Sequence, residues 1–130
     1  MNSYLFEAAK AAMAHAHAPY SNFAVGAAIL AEDGRIYAGC NVENASFPEG
    51  WCAETSALGA MVTAGAKRIR EVVVVGDGER LTTPCGGCRQ RLAEFAGPET
   101  LVHACGPQGL RQTFRLGDLL PAAFEKGHLA

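Results

Sequence analysis

The sequence predicts one α/β domain: a three-layer α/β/α sandwich on a mixed five-stranded sheet that opens with a β-hairpin. Three observations lead there. The chain has 130 residues, 49% hydrophobic and 18% charged, which suits a single domain over residues 1–130 with one core. Along it the apolar spacing alternates between helical and strand-like, in the order helix, two strands, helix, strand, helix, strands. Residues 69–75 open on Ile69 and end in four consecutive valines, a β-branched segment with the pattern of a strand covered by helices on both faces.

Each element has its own signal. Ser3 is placed to cap a first helix in which Leu5, Ala8, Ala9, Ala12, Met13 and Ala16 recur at helical spacing, with Pro19 closing it. Residues 23–30 and 35–40 read as antiparallel strands turning at Glu32-Asp33-Gly34. A polar, Asn-rich loop follows over 41–50. Residues 52–64 are mostly small, with Leu58, Met61 and Val62 among them and Gly65 as the stop, so this is a buried helix. The strand at 69–75 is central. Thr83-Pro84 forms an N-cap and first-turn pair for a helix running toward Phe95, which Gly97-Pro98 breaks. Residues 101–104 and 112–116 supply the remaining strands before Asp118-Leu-Leu-Pro121 and the tail.

Composition excludes several classes of function. With 11 Lys and Arg against 13 Asp and Glu the net charge is -2, too little positive field for long nucleic acid. No apolar stretch approaches the roughly 20 residues that cross a bilayer, and the first residues lack an apolar signal core. A cytoplasmic protein without a membrane partner is therefore expected. Lys67-Arg68-Ile69-Arg70 reads as a solvated helix exit. Five cysteines, an odd number outside any small disulfide framework, point to metal or catalysis.

Cys52, Cys85 and Cys88 fall in the first turns of two predicted helices. Cys85 and Cys88, three apart, share one helix face, and helix N-termini favour the thiolate that a metal requires. Zinc suits this donor set, accepting thiolates tetrahedrally at about 2.3 Å. The C-x-x-C pair alone also fits a thiol redox protein or a structural zinc module. Cys52-Ala53-Glu54 upstream and Pro84-Cys85-Gly86-Gly87-Cys88 downstream sharpen the reading. Three protein ligands would leave one zinc position for water, with Glu54 beside it as proton shuttle. Cys40 and Cys105 are expected to be ordinary buried cysteines, and His15, His17, His103 and His128 lie outside the motifs.

On these motifs, together with Tyr20-Ser-Asn-Phe23-Ala-Val-Gly26-Ala, Gly39-Cys-Asn41-Val-Glu43-Asn44 and Leu119-Leu-Pro-Ala-Ala-Phe124, nearly the whole chain resembles the small cytidine deaminase family. The resemblance implies the fold stated above, one Zn²⁺ per chain held by Cys52, Cys85 and Cys88, catalysis by Glu54, a small nucleoside as substrate and assembly into a homotetramer. It implies that Asn41 and Glu43 hydrogen-bond the ribose, that Phe23 and Phe124 pack against substrate, Phe124 from another subunit, that Ala53 contributes near the reacting carbon, and that Ala45 and Phe47 edge the site between subunits. Phe47 stands where relatives often have tyrosine. Relatives typically carry an arginine directly after the catalytic glutamate, held to hydrogen-bond the cysteine sulfurs; here the residue is Thr55, so Thr55 or Arg89 is expected to supply part of that charge balance. Thr55-Ser56-Ala57-Leu58-Gly59 is also similar to blasticidin-type deaminases, whereas Glu43 favours a nucleoside. The expected reaction is hydrolysis of cytidine and deoxycytidine to the uracil nucleosides and ammonia, a step of pyrimidine salvage, with a modified-cytosine or blasticidin deaminase as the alternative.

Overall fold

The computed structural model describes residues 1–129. Helix α1 runs Ser3–Met13, and its cap is Asn2 and not Ser3: the Asn2 Oδ1 accepts from the backbone N–H groups of Tyr4 (2.9 Å) and Leu5 (3.3 Å). It ends well before Pro19, because the chain at His17 is drawn off into a bridge. The His17 N–H donates to the Asn41 carbonyl, and the His17 carbonyl accepts from Glu43 N–H. Strands β1 (Val25–Ala31) and β2 (Ile36–Cys40) form the expected hairpin, with Gly34 at φ 80° in its turn.

Helix α2 (Ala53–Thr63) leads to β3 (Ile69–Gly76), then α3 (Gly86–Ala93), β4 (Leu101–Gly106), β5 (Gly109–Arg115) and a one-turn helix α4 (Leu116–Leu119). The last strand begins earlier than its apolar residues indicate, because Gly109 at φ 140° closes a tight β4–β5 hairpin. Leu116 belongs to α4. Sheet order is β2-β1-β3-β4-β5, parallel only between β3 and β4, so the sheet is mixed as expected.

Alternation along the strands explains the valine run. Val73 and Val75, with Ala28 and Cys105, meet Leu5 and Ala9 of α1 on one face. Val72 and Val74, with Ala27, Ile29 and Val102, meet Ala57, Met61 and Leu92 of α2 and α3 on the other. Two glycines let the helices sit close. A Cβ on Gly26 would lie 2.0 Å from the Ala9 carbonyl oxygen, and one on Gly39 would lie 2.4 Å from the Ala57 nitrogen. Backbone-on-backbone packing at Gly39 fixes the start of α2 against the end of β2, which is where the site forms. Among the described residues no helix is long and apolar enough to cross a membrane.

Candidate metal centre and active site

Cys52 and Cys85 are the N-cap residues of α2 and α3, and neither side chain makes a capping hydrogen bond. The α3 cap is thus Cys85 and not Thr83; the Thr83 hydroxyl instead accepts from Arg89 Nη2 at 2.9 Å. Because the helix starts at Gly86, Cys88 occupies its third position, on the same side as the cap. The two helices lie on one face of the sheet with their N-termini together, and the sulfurs of Cys52, Cys85 and Cys88 all lie within 4.8 Å of one another. Cys52 Sγ and Cys85 Sγ are 3.6 Å apart. Tetrahedral zinc with bonds of about 2.3 Å would set its sulfurs roughly 3.8 Å apart, so the donor set fits zinc with little adjustment.

The thiols are unequal. Cys88 is fully buried, and its acidity is raised by the hydrogen bond from Cys52 above all, then by Thr55 and the nearby charge of Arg91; the same contact and burial push Cys52 the other way. Glu54, in the first turn of α2, is 4% exposed. Burial, and then the charge of Cys88, push its carboxyl up to about 7, while its own backbone N–H opposes the shift. A carboxyl that exchanges its proton near neutrality is suited to carry protons at that pH.

A cleft of about 430 Å³ opens onto Cys52 and is lined by Tyr20, Ser21, Asn41, Glu43, Phe47 and Trp51 among others. Asn41 and Glu43 both hold its walls. The Asn41 amide accepts from Val25 N–H (2.9 Å) and donates to the Phe23 carbonyl (2.9 Å). Glu43 accepts from the N–H groups of Tyr20 and Ser21 and from the Ser21 hydroxyl, contacts that keep its carboxyl below the usual range. Each retains lone-pair or N–H capacity for a ligand. Ala53 is buried at the start of α2, Ala45 and Phe47 are exposed on the loop, and Phe23 lies with its ring 3.2 Å from where a Gly78 Cβ would be. Phe124 lies elsewhere, exposed and stacked on His128. It borders a larger hollow of about 630 Å³ between α3 and the tail that contains none of the cysteines.

Two residues were missed by the motif reading. Trp51 stands at the cleft mouth; its Nε1 donates to Ser56 Oγ (2.7 Å), which donates to the Cys40 carbonyl (2.8 Å). Arg91, not Arg89, approaches the cysteines. Arg89 donates to the carbonyls of Pro84 (2.7 Å) and Leu119 (2.9 Å) and to Thr83, tying α3 to its entry loop and to the C-terminal turn. Arg91 Nη1 lies 3.3 Å from Thr55 Oγ1 and 4.0 Å from Cys88 Sγ, and Thr55 Oγ1 is itself 3.6 Å from that sulfur. The spacing of three from Cys88 was the available signal. Of the two expected buried cysteines, Cys105 is fully buried, its thiol pushed up to about 11 by burial, whereas Cys40 is only half-buried.

The family model for the cytidine and deoxycytidylate deaminase zinc-binding region matches residues 1–105. A cytidine deaminase of Sporosarcina psychrophila is 41% identical over 126 residues, covering 97% of this chain and 93% of its own. One from Mycobacterium tuberculosis is 46% identical over 114 residues, covering 87% of this chain and 81% of its own. The crystal structure of cytidine deaminase from Burkholderia pseudomallei superposes with a TM-score of 0.89 at 44% identity, over 95% of this chain and 99% of that one. With the matched region running through both cysteine-bearing helices, the chain belongs to the cytidine and deoxycytidylate deaminase family of zinc-binding proteins.

Proposed function

We propose that the protein is a zinc-dependent aminohydrolase of one catalytic domain that converts cytidine and deoxycytidine, with water, to the uracil nucleosides and ammonia. The observation that carries this is the convergence of three thiols from two helix N-termini beside the buried carboxyl of Glu54. Cys52, Cys85 and Cys88 would hold the metal. When bound, zinc supplies Lewis acidity that brings the ionisation of water into the neutral range.

The chain's own residues do the rest. Glu54 accepts a proton from the attacking water and delivers it to N3 of the pyrimidine as the C4–O bond forms. It then takes the remaining proton from the new C4 hydroxyl and passes it to the exocyclic nitrogen as the C4–N bond breaks, leaving the C4 carbonyl and ammonia. Free N–H groups at the start of α2, around Ala53, face the developing charge because Cys52 leaves them uncapped. Asn41 and Glu43 orient the ribose from the cleft wall, and Phe23 packs against the base. A site built on such polar groups rejects analogues that lack the hydroxyl.

Phe124 borders a hollow away from its own chain's cysteines, which supports a homotetramer in which it reaches a neighbour's site, with Ala45 and Phe47 at the subunit edge. A cytoplasmic role in pyrimidine salvage belongs to the same proposal.

The test is spectrophotometric. Purified protein carrying one zinc per chain is assayed with cytidine, deoxycytidine, cytosine and blasticidin S. Turnover of the nucleosides is expected, with zinc lost in Cys88→Ser and kept in Cys40→Ser and Cys105→Ser. Metallated protein that leaves all four compounds unchanged would end the proposal.

A further inference from the structure

Three thiolates around a dication leave the centre one negative charge in excess, and the residue after Glu54 is a neutral threonine. Two helix N-termini offset part of that charge. A full positive charge is nevertheless present, brought from one turn further along α3. Arg91 follows Cys88 by three residues and Gly87 by four, so its side chain leans back toward the helix N-terminus over the face carrying the sulfur. Its Nη1 reaches Thr55 Oγ1 at 3.3 Å and Cys88 Sγ at 4.0 Å. No carboxylate lies within ion-pair distance of it among the described residues. Gly87 keeps the space open: a Cβ there would lie 3.2 Å from Arg91 Nη1.

We infer that Arg91 is the positioning residue that balances the charge of the cysteine cluster, acting on Cys88 directly and through the Thr55 hydroxyl. The inference rests on the zinc deaminase reading of the cluster. Arg91 touches neither substrate nor reacting atoms; it holds the sulfur that holds the metal. Gly87, Thr55 and Arg91 then form one unit, in which the small residue admits the guanidinium and the hydroxyl relays it.

The test uses the folded, metallated protein. In Arg91→Gln, zinc affinity measured against a chromophoric chelator is expected to fall about tenfold, the lower end for a group supporting a metal ligand, because Arg91 is solvent-exposed. In the cobalt-substituted protein the sulfur-to-metal charge-transfer band is expected to move to lower energy, since a sulfur relieved of a cation donates more readily. Arg91→Lys should retain most of the wild-type position. Thr55→Arg in the Arg91→Gln background should restore both readouts by returning a guanidinium to the sulfur from α2. Should Arg91→Gln fold poorly, Arg91→Met keeps the aliphatic stem and is read in the same way.

An unmoved cobalt band with unchanged zinc affinity in folded Arg91→Gln or Arg91→Met overturns the inference, and so does a band shift of equal size in Arg91→Lys. In either case a wild-type protein that binds zinc and deaminates cytidine leaves the deaminase reading standing. A wild type that does neither removes the reading itself.

Discussion

Among the described residues two polar side chains of the histidine and carboxylate kind are buried, one on each face of the sheet, and the faces treat them in opposite ways. On the α1 face His103, 3% exposed on β4, is held from both sides. Its Nε2 meets Glu71 Oε2 at 2.5 Å across β3, and its Nδ1 meets Thr113 Oγ1 at 2.8 Å across β5. On the α2–α3 face Glu54, 4% exposed, has its own backbone N–H as the one group favouring its charged form, while burial and then the charge of Cys88 oppose it. A buried polar group with partners on every side strengthens the fold, whereas one left with an unfavourable charge is the kind of group the proposed proton transfers call for. The comparison teaches that burial alone does not mark a functional group; the balance of partners around it does.

The sharpest way to break this contrast is by activity. Glu54→Gln keeps the shape of the side chain and, since Glu54 lies outside the cluster of sulfur donors, should keep one zinc per chain while kcat for cytidine falls by several orders of magnitude, beyond the roughly 10²–10⁴ usual for an acid–base group. Loss of metal in that variant would make Glu54 a ligand and undo its role. His103→Ala should leave kcat/KM within about twofold of wild type, and a large loss there would erase the distinction between the faces.

Stability should show the reverse order. His103→Ala leaves Glu71 and Thr113 without their partner and opens a void, so urea unfolding should show a loss of roughly 2–4 kcal/mol. Glu54→Gln should do the opposite in the metal-free protein. The folded-state pKa of Glu54, about 7, lies above the ordinary 4.5, so between these values the native state holds a proton that the unfolded chain has released. Wild-type stability therefore falls as pH rises through that window and stays lower above it. The glutamine variant escapes this and should be more stable by about 1–3 kcal/mol at pH 8, with the advantage gone below about pH 4.5. A metal-free Glu54→Gln protein no more stable at pH 8 than wild type would show that the carboxyl is better solvated than its burial indicates.

The smallest effect concerns the α1 face alone. Asn2→Ala removes both cap hydrogen bonds and should cost about 1 kcal/mol, read as a lower thermal midpoint with activity unchanged. A fall in activity would show that α1 communicates through the sheet with the cysteine cluster.

How much of this was legible beforehand depends on the range of the interaction. The layer order was readable because alternation within residues 69–75 sends Val73 and Val75 to one helix layer and Val72 and Val74 to the other. The thiols were readable because Cys85 and Cys88 are related by one helical turn and Cys52 by its own motif. Errors gathered where a distant partner decided. The first helix stops at Met13 and not near Pro19 because His17 pairs with residues 41–43, which no local alanine pattern reveals. Arg89 and Arg91 are alike in sequence terms. Leu119 and Thr83 claim the first, and Thr55 and Cys88 receive the second.

The amino-acid order by itself determined which residue types sit at which helical or strand spacing, and so the layers, the hairpin and the metal-binding motifs, because these depend on steric and hydrogen-bonding rules acting over a few residues. Tertiary structure decided which helix ends meet, which arginine faces the sulfurs and which acid is buried beside them. Those outcomes depend on the close approach at Gly39 and on the juxtaposition of α2 with α3, which bring residues more than thirty positions apart within a few ångströms.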